Sequence, residues 1–163
     1  MKITQADGRM VIADTPGCLW LFGLMFVLSG SSAMIAAFAV AAPPTFVFLT
    51  RSAAFVIGAA HLSAGLWIVR RHASTLTELD RESGQGRHLV RRPGSRTPAV
   101  TAFALADVRA VDIRHDRDSE GDPMFQVRLW LSGSRLLPLQ AQPAQGERAA
   151  LQHADAIRQF LNL

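Results

Sequence analysis

A single cysteine, Cys18, stands among the 163 residues. The chain therefore has no intramolecular disulfide and no Cys-x-x-Cys pair. Cys18 precedes a long apolar run instead of ending one, as the cysteine of a cleavable lipoprotein signal would, and reads as a small apolar residue at a membrane edge. Lysine is nearly missing as well. Lys2 is the only one, which leaves arginine as the other 16 of the 17 basic residues, a bias that fits a GC-rich genome better than a physical need. Aromatic residues are scarce after residue 72, where only Phe103, Phe125, Trp130 and Phe160 occur, three of them at core-like positions. A nucleic-acid binder is expected to combine clustered arginines with stacking aromatics, so the net charge of +4 does not point to nucleic acid. Also lacking are a nucleophile paired with a base, a phosphate loop, metal-ligand spacing and paired catalytic carboxylates. The sequence predicts no enzyme, no cofactor and no metal.

Charge is absent from the stretch Cys18–Ala42, CLWLFGLMFVLSGSSAMIAAFAVAA. As a helix this run spans about 37 Å at 1.5 Å per residue, enough to cross a hydrocarbon core of about 30 Å with some tilt. It is too long for the apolar region of a signal peptide. Pro43 and Pro44 follow and predict a turn. A second run, Thr45–Val69, carries Arg51 and His61. Arg51 is placed to snorkel to the outer interface, whereas His61 falls near mid-span. Trp20 and Trp67, at opposite sequence ends of this pair, fall at the same interface as an aromatic belt. Arg70 and Arg71 follow the second run directly, and Lys2 and Arg9 precede the first. The positive-inside rule then predicts a multi-pass protein of the bacterial inner membrane with both termini cytoplasmic.

Small residues recur along both runs: Ser29, Ala33, Ala37 and Ala41 on the first, Ala54, Gly58 and Gly65 on the second. In lipid such spacing lets helices approach closely, within the hairpin or against another membrane protein. Before the first run, residues 2–13 read KITQADGRMVIA, two short apolar stretches about Asp7-Gly8, which predicts a β-hairpin. From Ser74 the pattern alternates. STLTEL, RHLVRR, AVTAFAL, VRAVDIRH, MFQVRLWLS and RLLPLQA read as strands, and Glu147–Leu161 as a helix with an apolar stripe of Ala150, Ala154, Ile157 and Leu161. Three parts follow: an N-terminal segment over 1–17, a two-helix transmembrane hairpin over 18–69, and a cytoplasmic α+β domain over 70–163 in which a bent antiparallel barrel or roll is capped by the C-terminal helix.

From Thr75 onward the chain resembles the bacterial PH-like domains that follow one or more membrane helices. The resemblance rests on TLTELD, a Gly-containing turn, an Arg-rich strand, LADVRAV, a Leu-rich strand and the closing IRQFL. It implies a seven-stranded, strongly bent sheet capped by a helix, and a role in membrane-complex assembly or the cell envelope. The basic first loop that grips phosphoinositides in eukaryotic relatives is not matched, since Arg81–Gly86 carries one Arg and one Glu.

Two constellations remain. Asp116, Asp118, Glu120, Gly121 and Asp122 mimic the start of an EF-hand loop, but its twelfth position is Val127 within a strand, so a solvated hairpin loop is the better reading. His61 is an intramembrane ionisable residue, with a bis-histidine haem site requiring a second chain. The sequence thus predicts a membrane-anchored, non-catalytic interaction module, an accessory subunit or assembly factor of a larger integral membrane complex. Its candidate partner contacts are Ser29, Ala33, Ala37, Ala41, Gly58, His61 and Gly65, and its candidate anionic-lipid contacts are Arg70 and Arg71. The alternatives are a lone or homo-oligomeric protein of the lipid surface, and a haem or redox subunit acting through His61.

Overall fold

The computed structural model describes residues 1–39, 44–141 and 143–163, with backbone alone over 44–49. The chain divides into two units, one of residues 16–72 and one made of 1–15 together with 73–163. The second unit is thus interrupted by the first.

In the interrupted unit, β1 (Lys2–Ala6) and β2 (Arg9–Asp14) form the expected hairpin. Asp7 and Gly8 both take positive φ, 46° and 73°, the conformation a two-residue type I′ turn requires. The hairpin is not an appendage. β2 pairs antiparallel with β3 (Ser74–Asp80) from Arg9↔Asp80 to Asp14↔Thr75, across the whole helical insertion. β4 (Gln85–Arg91) and β5 (Ala99–Ala104) extend the sheet to five strands in the order β1-β2-β3-β4-β5. A 3-10 turn at Leu105–Asp107 then carries the chain into a second antiparallel sheet of β6 (Val108–Arg117), β7 (Pro123–Leu131) and β8 (Arg135–Pro138). Among the described residues the stretch from Ser74 onward supplies six strands, one fewer than the seven the resemblance implies, and β1 and β2 bring the unit to eight.

The last element of this unit is α3 (Glu147–Leu161). It lies on β6 and β7 and buries Ala150, Ala154, Ile157 and Phe160. Phe160, 2% exposed, is the deep residue of its last turn. Leu161, expected in the stripe, is half-buried at the margin of the core. One continuous core joins Met10, Ile12, Leu79 and Phe103 of the first sheet to Val127, Leu129 and Leu131 of the second and to the α3 stripe. Apolar burial at about 25 cal/mol per Å² is the main source of its stability. Arg81, in the β3–β4 turn, ties down the end of α3: its guanidinium donates to the Phe160 carbonyl at 2.6 Å and stacks 4.6 Å over the Phe160 ring. It also donates to the Gln159 carbonyl at 3.1 Å, so it satisfies carbonyls that a helix end leaves open.

The helical unit is an antiparallel pair, α1 (Gly17–Ala39) and α2 (Pro44–Arg71). Both helices are long and apolar enough to cross a membrane. Pro44, expected in the turn, is the first residue of α2, where its missing N–H costs nothing. The expected turn residue Pro43 lies outside the described residues.

Candidate functional site

The interface between α1 and α2 is built from glycine. Gly23 and Gly30 of α1 and Gly58 and Gly65 of α2 are buried, with Ala37 continuing the α1 row at 4% exposure. The three α1 positions are seven residues apart, as are the two on α2, so each row stays on one face over two helical turns. A Cβ at Gly30 would lie 2.6 Å from the Gly58 carbonyl oxygen, and one at Gly65 would lie 2.6 Å from that of Gly23. Backbone meets backbone at these crossings, which only glycine allows. Of the residues read as partner contacts, Ala37, Gly58 and Gly65 are therefore occupied inside the pair. Gly23 and Gly30 were missed, although the seven-residue spacing 23, 30, 37 against 58, 65 was available as a signal. The four-residue ladder from Ser29 shares only Ala37 with this row. Ala33 is half-buried, Ser29 is exposed with its hydroxyl donating to the Phe26 carbonyl at 3.1 Å, and Ala41 lies outside the described residues.

With glycine inside, the large side chains point outward. Leu21, Met25, Ile35, Phe38 and Val56 are all 61–73% exposed. A water-soluble helix pair would bury such residues and expose polar ones. Among them stands His61, exposed, with its ring edge-on to Phe26 at 5.4 Å between centroids. No hydrogen bond to its ring is found among the described residues. The other histidine of this unit, His72, follows the last residue of α2, whose end is ten residues and about 15 Å by helical rise from His61, and its Nδ1 lies 2.6 Å from the Ile68 carbonyl oxygen. One chain does not bring these two imidazoles to a common ligand.

At one end of the pair Trp20 Nε1 donates to the His72 carbonyl at 3.0 Å, and the Arg71 guanidinium lies 4.8 Å above the Trp67 ring. Both tryptophans thus stand at the same end as Arg70 and Arg71, as the sequence predicts. Ser63, Leu66, Trp67, Arg70 and Arg71 line an open pocket of ≈ 510 Å³ there. Arg51, exposed, stands two turns into α2, toward the opposite end.

In the β unit the polar interior is used for structure. Thr77 Oγ1 and His88 Nδ1 are 2.7 Å apart, both residues buried, and burial pushes the His88 pKa down. Gln126 Nε2 donates to the Gln140 carbonyl at 3.0 Å while Gln140 Oε1 accepts from the Val127 amide at 3.0 Å, and Thr75 Oγ1 donates to the Leu139 carbonyl at 2.8 Å. Each group meets the demand that buried polar atoms be paired. The acidic loop folds on itself: Asp118 Oδ1 accepts from the amides of Glu120 and Asp122, both at 2.9 Å, and Asp116 pairs with Arg114 at 2.8 Å. No group of three or more His, Cys, Asp or Glu placed to hold a metal ion occurs among the described residues. A groove of ≈ 470 Å³ over β2, β3 and β4 is lined by Arg9, Glu78, Asp80, Gln85 and Arg87. Slight burial would raise the Asp80 carboxyl, but the Ser83 and Glu82 amides and the Arg9 guanidinium, 3.2 Å away, outweigh it and hold its pKa down.

A scan against protein-family models finds no match to this chain, and a search among curated proteins finds none either.

Proposed function

We propose that the protein is a membrane-anchored, non-catalytic interaction module, an accessory subunit or assembly factor of a larger inner-membrane complex. The hairpin is its transmembrane part and the β unit is a PH-like domain on the cytoplasmic side. Two antiparallel sheets with a C-terminal helix packed over them support the PH-like reading. The outward apolar faces of α1 and α2 support the membrane reading, because only lipid or protein partners leave such surfaces at low cost. β2 ends at Asp14 and β3 begins at Ser74 on adjacent strands, so both ends of the hairpin return to one end of a single sheet. That connectivity demands an even number of crossings.

The observation that carries the interaction reading is His61, an exposed ionisable ring near mid-helix on a pair that turns its large apolar side chains outward. An imidazole in hydrocarbon without a hydrogen bond costs on the order of 1–3 kcal/mol, and a helix of another membrane protein supplies a partner for it. Ser29 and Ala33 offer a small-residue approach on α1. The test is native mass measurement after gentle extraction from the membranes that normally hold the protein. Wild type is expected to run with a second, different polypeptide and His61→Leu without it. If both run as the same lone monomer or homo-oligomer, the accessory-subunit reading fails and the lipid-surface alternative replaces it.

A further inference from the structure

The helical unit, residues 16–72, contains no Asp or Glu, yet its last turn carries two adjacent arginines. Neither Arg70 nor Arg71 forms an ion pair among the described residues. Both belong to a stripe at positions i, i+3, i+4, i+7 and i+8 of α2: Ser63, Leu66, Trp67, Arg70 and Arg71, which line the open pocket of ≈ 510 Å³. We propose that this stripe is a binding site for one anionic glycerophospholipid. The proposal rests on the membrane reading given above.

Chemistry is graded along the stripe as a phospholipid is graded along its length. The guanidinium of Arg71 stacks 4.8 Å over Trp67, which orients it and leaves its edge for in-plane donation to a phosphate. Arg70 supplies the second cation, and the C-terminal end of the helix favours cations there. Trp67 and Leu66, 58% and 39% exposed, form an apolar wall one turn deeper, where the glycerol and the start of the acyl chains run. Ser63 is small and lies a further turn down, so the groove stays open for a chain. A free phosphate would use the arginines alone. The apolar wall and the open floor are what commit the site to a lipid.

The test uses the full chain in bilayer nanodiscs of equimolar phosphatidylglycerol and phosphatidylcholine, followed by stripping in a neutral detergent and native mass measurement of retained lipid. Wild type is expected to keep one phosphatidylglycerol, enriched over phosphatidylcholine by roughly thirtyfold for two interfacial arginines. The double change R70Q/R71Q should abolish that enrichment. Ser63→Leu, which keeps every charge and fills the groove, should abolish it as well. The double change R91Q/R92Q removes two exposed arginines of the β unit and should leave it intact. The proposal is overturned by no enrichment in wild type, by equal loss in R91Q/R92Q, by full retention in Ser63→Leu, or by complete displacement with inorganic phosphate. A wild-type chain that fails to enter the bilayer is a separate result and refutes the membrane reading itself.

Discussion

His88 is a titratable residue that serves the structure of the core. It is 3% exposed and held by Thr77, so protonation would place a charge in the core. Its folded pKa lies below the ordinary value of 6.5. The unfolded chain therefore binds more protons than the folded one as pH drops below that value, and stability falls with it. His153 acts in the same direction, through burial and then through the nearby N-terminal ammonium. Asp80 and Asp112 do not confuse this window. Burial alone would raise both, but hydrogen bonds and the arginines beside them, Arg9 and Arg128, leave both pKa values lowered, so they titrate further down. Denaturant melts of wild type should lose stability steadily from about pH 7 to about pH 5. His88→Asn should remove part of that slope and H88N/H153N most of it. An unchanged slope in the double variant would show that other groups drive it. The sequence places His88 only as a member of the strand RHLVRR. Its burial and its bond to Thr77 were not legible there, because they depend on which strand face turns inward.

At the scale of elements, the glycine seam decides whether α1 and α2 form a pair at all. Leucine is favoured in lipid, so Gly30→Leu or Gly58→Leu should still insert as a helix. Either side chain, however, must force apart backbones whose present approach puts a Cβ within 2.7 Å of a carbonyl oxygen. Overpacking of this kind costs about 1–3 kcal/mol. The expected outcome is a lower melting temperature of the detergent-solubilised hairpin. Ala36→Leu, at an exposed position of α1, is the matched control and should melt like wild type. Equal melting of all three would mean that the seam lies elsewhere. The helices themselves were plain in the sequence, since each run offers twenty-five residues with at most one arginine, Arg51 in the second. α3 was equally plain, with its expected span Glu147–Leu161 reproduced. The facing surfaces were harder to read. A four-residue ladder and a seven-residue row of small residues coexist on α1, and only pairing with α2 selects between them. The same limit applies to Phe160 and Leu161, neighbours of which one enters the core.

For the whole molecule, the principal finding is a β unit assembled from both ends of the chain around a helical insertion. Local signals gave the N-terminal hairpin and each later strand. The pairing of Asp14 with Thr75 leaves no local trace, because nothing in either strand encodes a partner about sixty residues away. Met10 and Ile12, 1% and 0% exposed, nevertheless make β2 part of the core. A fragment of residues 73–163 should therefore lack a cooperative thermal transition, and residues 1–15 joined to it by a short flexible linker should restore one. A fragment that melts cooperatively without β1 and β2 would reduce them to an ornament. The proposed membrane reading adds a stricter demand, because under it both ends of the helical insertion, and so the whole β unit, lie on one side of the membrane. The most direct measurement is labelling of single cysteines by an impermeant maleimide in intact and permeabilised cells. With Cys18→Ser as background, Gln5→Cys in β1 and Glu120→Cys in the β6–β7 loop are both expected to label only after permeabilisation. Labelling of either one in intact cells would contradict the proposed topology, in which the β unit is cytoplasmic and the hairpin crosses the membrane.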